Sequence, residues 1–231
     1  MVRLVDETAD VFCSEDVRGR MDLFLAELSN QPGSIGYIIG SADAEMPGRY
    51  PKYERALRNH VTFRRFDPSR VKFLRGPDGD AMRFVYRLVP DGARTHDLPV
   101  PYRRSKINKP TLFDESGIVR VKGGKVQFGE KDGGAAEPCD WGLRLEDYAA
   151  ALKADEYLIG HLIGSSGSSE RNKVRTSLSL TAALMSREFG IPKQRIVTRL
   201  TANDGPSTMR LWLVPRGTKL DLLSIQPKKH K

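Results

Sequence analysis

Cysteine is nearly missing from this 231-residue sequence, which has only Cys13 and Cys139. Two thiols so far apart exclude a disulfide framework. With four histidines scattered singly, at positions 60, 96, 161 and 230, they also exclude the paired ligand spacing of a structural zinc site. Two readings remain: one disulfide in an oxidising compartment, or two idle thiols. Long apolar runs are lacking too. No stretch approaches the roughly 18 residues of a membrane-spanning helix. Asp6, Glu7 and Asp10 exclude the apolar core of a signal peptide from the first dozen residues. The expectation is a mature form freed of its targeting segment or, as the alternative, a cytoplasmic protein.

Chemical signatures are equally sparse. The run Gly164-Ser165-Ser166-Gly167-Ser168-Ser169 lacks the Gly-Lys-Ser/Thr of a phosphate-binding loop, and Ser168 stands where a nucleophile elbow needs glycine. A serine nucleophile needs a base beside it, and no pair of carboxylates is marked out as acid and base. The expectation is a protein with no catalytic residue, no metal and no cofactor. The Ser/Gly run reads as a flexible loop ending in a helix-capping serine.

Positive charge, in contrast, is abundant. Lys and Arg number 38 against 29 Asp and Glu, a formal charge of +9, while 39% hydrophobic residues supply an ordinary globular core. Such an excess suits nucleic acid, an anionic membrane surface or another acidic partner.

The chain also repeats itself. Gly36-Tyr37-Ile38-Ile39-Gly40-Ser41 returns as Gly160-His161-Leu162-Ile163-Gly164-Ser165, an offset of 124. Asp67-Pro68-Ser69-Arg70-Val71 returns as Pro192-Lys193-Gln194-Arg195-Ile196, and Arg87-Leu88-Val89-Pro90 as Trp212-Leu213-Val214-Pro215, both offset by 125. A nearly constant offset across three landmarks indicates a tandem duplication with one indel. In each copy the apolar spacing predicts helix, strand, helix, strand, strand. The helices fall at 17–28 and 50–65, then 145–153 and 174–189. The turn residues at 76–79 and 202–205 predict that the last two strands of each copy form a hairpin. A leading strand is expected at 2–5 in copy one, and at 119–121 or 125–128 in copy two. The expected fold is α/β, a two-layer α+β sandwich occurring twice. Its divisions are copy one at 1–92, a basic Pro/Gly-rich linker with a β-hairpin candidate at 93–138, copy two at 139–220 and a basic tail at 221–231.

The order β-α-β-α-β-β, with a break and an arginine just before the third strand, resembles the OmpA C-terminal-like domain family of the bacterial envelope. Copy one carries Gly40-Ser41-Ala42-Asp43, then Glu54-Arg55-Ala56, then Phe66-Asp67-Pro68-Ser69-Arg70-Val71. Copy two carries Gly164-Ser165-Ser166-Gly167, Arg175, and Gly190-Ile191-Pro192-Lys193-Gln194-Arg195-Ile196. The resemblance implies a periplasmic location and a site where an aspartate takes an ammonium and an arginine takes a carboxylate of the peptidoglycan stem peptide. By position these are Asp43 and Arg55. Copy two has Gly167 in place of the aspartate, which implies a structural role for that copy.

The remaining candidates form a basic surface: Arg49, Lys52 and Arg58 on the second helix, and Arg103, Arg104 and Lys106 in the linker. The basic run from Arg49 to Arg75, with Tyr50, Tyr53 and Phe63 interleaved, also matches a nucleic-acid surface. The reading that joins these observations is a non-catalytic envelope scaffold with protein partners, peptidoglycan as a vestigial ligand of copy one, and peripheral membrane association as an option. The alternative is a basic nucleic-acid-binding module.

Overall fold

The computed structural model describes residues 2–9, 14–93, 98, 106–122, 125–128, 144–202 and 206–221. Cys13, Cys139, Arg103, Arg104 and most of the basic tail lie outside them. The first unit comprises β1 (Arg3–Ala9), α1 (Ser14–Ser29), β2 (Ser34–Ser41), α2 (Arg49–Phe63), β3 (Val71–Arg75) and β4 (Arg83–Pro90). The second comprises β5 (Thr111–Lys122), β6 (Lys125–Phe128), α3 (Leu145–Ala154), β7 (Leu158–Ser166), α4 (Arg171–Arg187), β8 (Ile196–Ala202) and β9 (Thr208–Pro215). The sheets run β1-β4-β2-β3 and β5-β9-β7-β8, with β6 added beside β5. Only β2–β3 and β7–β8 are parallel. The protein is therefore a tandem pair of β-α-β-α-β-β units with the same strand order.

The expected hairpins do not form. β2 lies between β3 and β4, and β7 between β8 and β9. A turn signal marks where the chain reverses, whereas pairing follows burial. The most apolar strand takes the centre of the sheet, and β3, with Lys72 and Arg75, takes an edge. The repeated glycines explain how the helices approach that central strand. A Cβ at Gly36 would come 2.5 Å from the Phe24 ring, and one at Gly160 would come 2.8 Å from the Tyr148 hydroxyl. Phe24 and Tyr148 are counterparts at the 124 offset. Tyr148 also donates a hydrogen bond to the Trp212 carbonyl at 2.7 Å.

The repeated arginine is a clamp. Arg70 Nη2 donates to the carbonyls of Leu28, Gln31 and Ser34 at 2.7, 2.8 and 3.2 Å. Arg195 Nη2 donates to Leu152, Asp155 and Leu158, the same three positions plus 124, at 2.7, 2.8 and 2.7 Å. Each guanidinium thus gathers three carbonyls where the first helix ends and the central strand begins, adding a charged donor to groups some of which also accept a backbone N–H. The second helices end alike, with Arg65 at φ 54° where the second unit has Gly190 at φ 65°.

The leading strands reveal a further repeat. Both β1 and β5 carry a bulge, at Val5 and Phe113, and pair with β4 and β9 in the same register. Leu4-Val5-Asp6-Glu7 therefore corresponds to Leu112-Phe113-Asp114-Glu115, an offset of 108 rather than 124. The second unit begins at residue 111, inside the stretch read from sequence as linker. The glycine-turned segment there does form a hairpin, β5–β6.

Arg195→Ala should lower unfolding free energy by about 3 kcal/mol, because three backbone carbonyls lose a charged donor. Arg195→Lys should recover only part of this, since an ammonium cannot fork across them. Urea denaturation of the two variants checks both. A second test concerns α1 and α2, which are tied by Asp22. It accepts Arg64 Nε and Nη2 at 2.6 and 2.5 Å and contacts His60 Nε2 at 2.7 Å. The Arg64 guanidinium first, and His60 after it, hold the Asp22 carboxyl below its usual range. Its contribution is present above the ordinary carboxylate value and is lost as pH falls towards the depressed one. Asp22→Asn should therefore flatten the acid limb of stability against pH, read as urea midpoints below about pH 4.

Candidate functional site at the seam between the two units

Helix α2 is covered on more than one side. Tyr50, Tyr53, Leu57 and Val61 pack into the first core. A second stripe, Lys52, Ala56 and His60, recurs every four residues and is also buried. Lys52 on that stripe reaches the second unit. Its Nζ lies 2.5 Å from Asp114 Oδ2, with side-chain exposures of 7% and 1%. Burial pushes the Asp114 carboxyl up from its usual range, and the Lys52 ammonium pulls it back down.

The contact begins at the helix start. Gly48 N–H donates to the Phe113 carbonyl, the bulged residue of β5, at 2.8 Å. Any side chain at Gly48 would collide there, since a Cβ would sit 2.3 Å from that oxygen and 2.5 Å from the Phe113 ring. One turn beyond Lys52, Arg55 Nη2 donates to Asp147 Oδ1 of α3 at 2.5 Å. Arg144 Nε approaches the other Asp147 oxygen at 3.6 Å. One helix of the first unit therefore meets the second through a backbone hydrogen bond and two ion pairs, one of them buried.

The residues singled out from sequence are distributed as follows. Asp43 is half-buried in the loop after β2, where its Oδ1 accepts the Glu45 N–H at 2.7 Å. Arg55 reaches away to Asp147. Arg49 and Lys106 are exposed. Arg58 is exposed, bonded to Glu54 and stacked 4.1 Å from the Phe73 ring centroid. Lys52, expected on the basic surface, is instead buried. The helical pattern identifies the stripe facing the helix's own sheet but not a second face covered by another unit. The Ser/Gly run is likewise more ordered than a loop. Residues 164–166 complete β7, Ser165 bonds Thr201 at 2.9 Å, and Glu170 rather than a serine precedes α4.

Asp114 and Asp147 escaped the sequence reading. The available signal was the Leu112-Phe113-Asp114-Glu115 echo of the N-terminal strand, hidden by the sixteen-residue change of offset between the strand and helix landmarks. Among the described residues, no three His, Cys, Asp or Glu side chains gather to hold a metal ion, and no helix is long and apolar enough to cross a membrane. Compared with known proteins, the chain matches no family model and no curated sequence.

The seam makes a quantitative prediction. Lys52→Met or Asp114→Asn alone should cost about 3 kcal/mol, because each leaves a buried polar partner uncompensated. Lys52→Met combined with Asp114→Leu should cost clearly less than the sum of the single changes. A double-mutant cycle by urea denaturation measures this coupling.

Proposed function

We propose that the protein is a non-catalytic scaffolding subunit of a bacterial envelope assembly, acting in the periplasm, with two diverged OmpA-like modules as its body. The module resemblance carries the envelope placement. The observation that supports scaffolding is the use of Arg55. In the resemblance this arginine takes a ligand carboxylate, and here its guanidinium takes Asp147 of the second unit. A side chain of ligand-binding type has become part of an internal joint. Peptidoglycan binding by copy one is then vestigial, because a stem-peptide carboxylate must compete with Asp147 for Arg55.

The cations of α2 and Arg64 just after it fit this reading better than they fit nucleic acid. Lys52, Arg55, Arg58 and Arg64 each sit against a carboxylate, namely Asp114, Asp147, Glu54 and Asp22. Phosphate binding draws on cations that can be released from other partners. The charge left over suits an acidic protein or lipid surface.

Two measurements test the proposal. Native extraction from bacterial membranes should yield the protein in a discrete complex of fixed stoichiometry. Elution as a free monomer that shifts only with DNA, in a steeply salt-dependent way, would favour the nucleic-acid alternative. Sedimentation with purified peptidoglycan should show weak retention that rises in Asp147→Asn, which releases Arg55, and disappears in Asp43→Ala. Equal retention of all three proteins would remove the ligand role of Asp43 and Arg55.

A further inference from the structure

We infer that the open groove between β1 and α1 of the first unit is a docking seat for a basic helix of a partner protein. It is the counterpart of the seat on which the second unit receives α2. The groove is lined by Val5, Asp6, Asp16, Gly19, Arg20 and Leu23. The duplication gives several of these a partner in the seam. Val5 corresponds to Phe113 and Asp6 to Asp114, through the shared bulge register. Arg20 corresponds to Arg144 and Leu23 to Asp147, through the helix offset of 124. In the second unit this surface is occupied by a helix whose glycine meets the bulge carbonyl and whose lysine meets the bulge aspartate. In the first unit Leu23, which lines the groove, stands 68% exposed.

Two further features fit an incoming helix. Gly19 lies inside α1, where glycine is destabilising relative to alanine, yet a Cβ there would meet nothing within 4 Å. The packing of the unit itself does not require it, whereas a bare backbone admits a close neighbour, as Gly48 does at the seam. The charge is also unbalanced. Arg20 Nη1 bonds both oxygens of Asp6 at 3.0 and 2.9 Å, and its Nε bonds Asp16 at 3.1 Å. One guanidinium faces two carboxylates, which leaves a net negative charge beside exposed leucine. That combination fits an amphipathic basic helix.

The occupant is a different protein rather than a second copy of this chain. Helix α4, the counterpart of α2, has Asn172 at the place of Gly48, where a side chain collides with the bulge carbonyl. It has Thr176 in place of Lys52 and Ser179 in place of Arg55. Helix α2 itself is engaged with its own second unit. The fitting partner helix starts at a glycine and carries Lys or Arg four residues on, as Gly48-Arg49-Tyr50-Pro51-Lys52 does.

This inference rests on the scaffold reading but is tested separately. The probe is a fluorescent peptide of residues 46–65 with Arg58→Lys, closed by a lactam to Glu54 so that it is held helical. Fluorescence anisotropy with the full-length protein should show saturable binding. Affinity should fall at least about tenfold with Gly19→Gln or Leu23→Asp in the protein, or with Lys52→Ala in the peptide. Gly19→Gln should leave thermal stability equal or higher, since it removes a helix-interior glycine, so lost binding cannot be lost folding. No saturable binding, or binding indifferent to both groove variants, overturns the seat. A native membrane complex that survives Leu23→Asp keeps the scaffold and removes the groove.

Discussion

A carboxylate at the Asp114 position, 1% exposed, is costly unless a cation comes with it. That cation comes from another unit. Asp114 stays in the ladder opposite Leu211, the bulge beside it leaves the Phe113 carbonyl open, and α2 supplies both the Gly48 N–H and the Lys52 ammonium. The same bulge in β1 presents Asp6, and there the cation is Arg20 of the same unit. A single duplicated device is thus satisfied in two ways. In the second unit it joins two modules, and in the first it leaves a surface open.

The duplication separates what folding requires from what is free to diverge. Both units keep the strand order, the strand bulge, the glycines beneath the first helix and the arginine that gathers three backbone carbonyls. These serve needs every copy shares: close helix-to-sheet packing and the satisfaction of a helix end. The outer faces are free of such needs. On α2 they carry Lys52 and Arg55 to the seam, whereas the matching positions of α4 are Thr176 and Ser179. The formal +9 charge of the chain already counts the acids that these cations meet, so the excess is carried by other residues. Lys52, Arg55 and Arg58 of α2 and Arg64 just after it are matched by acids from four separate elements.

Much of this was legible in the sequence. The offsets of 124 and 125 located both units, and the apolar spacing of Tyr53, Leu57 and Val61 located the sheet-facing stripe of α2. Arg70 and Arg195 were visible as repeated residues, although only the structure reveals them as carbonyl clamps. The strand pairing was not legible. Gly76-Pro77-Asp78-Gly79 marks a reversal but carries no record of β2 lying between the strands it connects. The seam was hidden for a similar reason. Periodicity reports that one face of a helix is apolar, whereas Lys52 is buried by a charge contributed sixty-two residues later. The leading strand of the second unit was assigned too late because its offset differs from that of every other landmark.

The two units hold together through α2 and β5. A protease site placed between residues 93 and 106 allows the folded protein to be cut into its two units without touching the seam. The account predicts that the two fragments co-elute as a one-to-one complex at low micromolar concentration, and that Lys52→Asp, which sets two buried carboxylates against each other, makes them separate. Fragments that separate as soon as the wild-type chain is cut would contradict it.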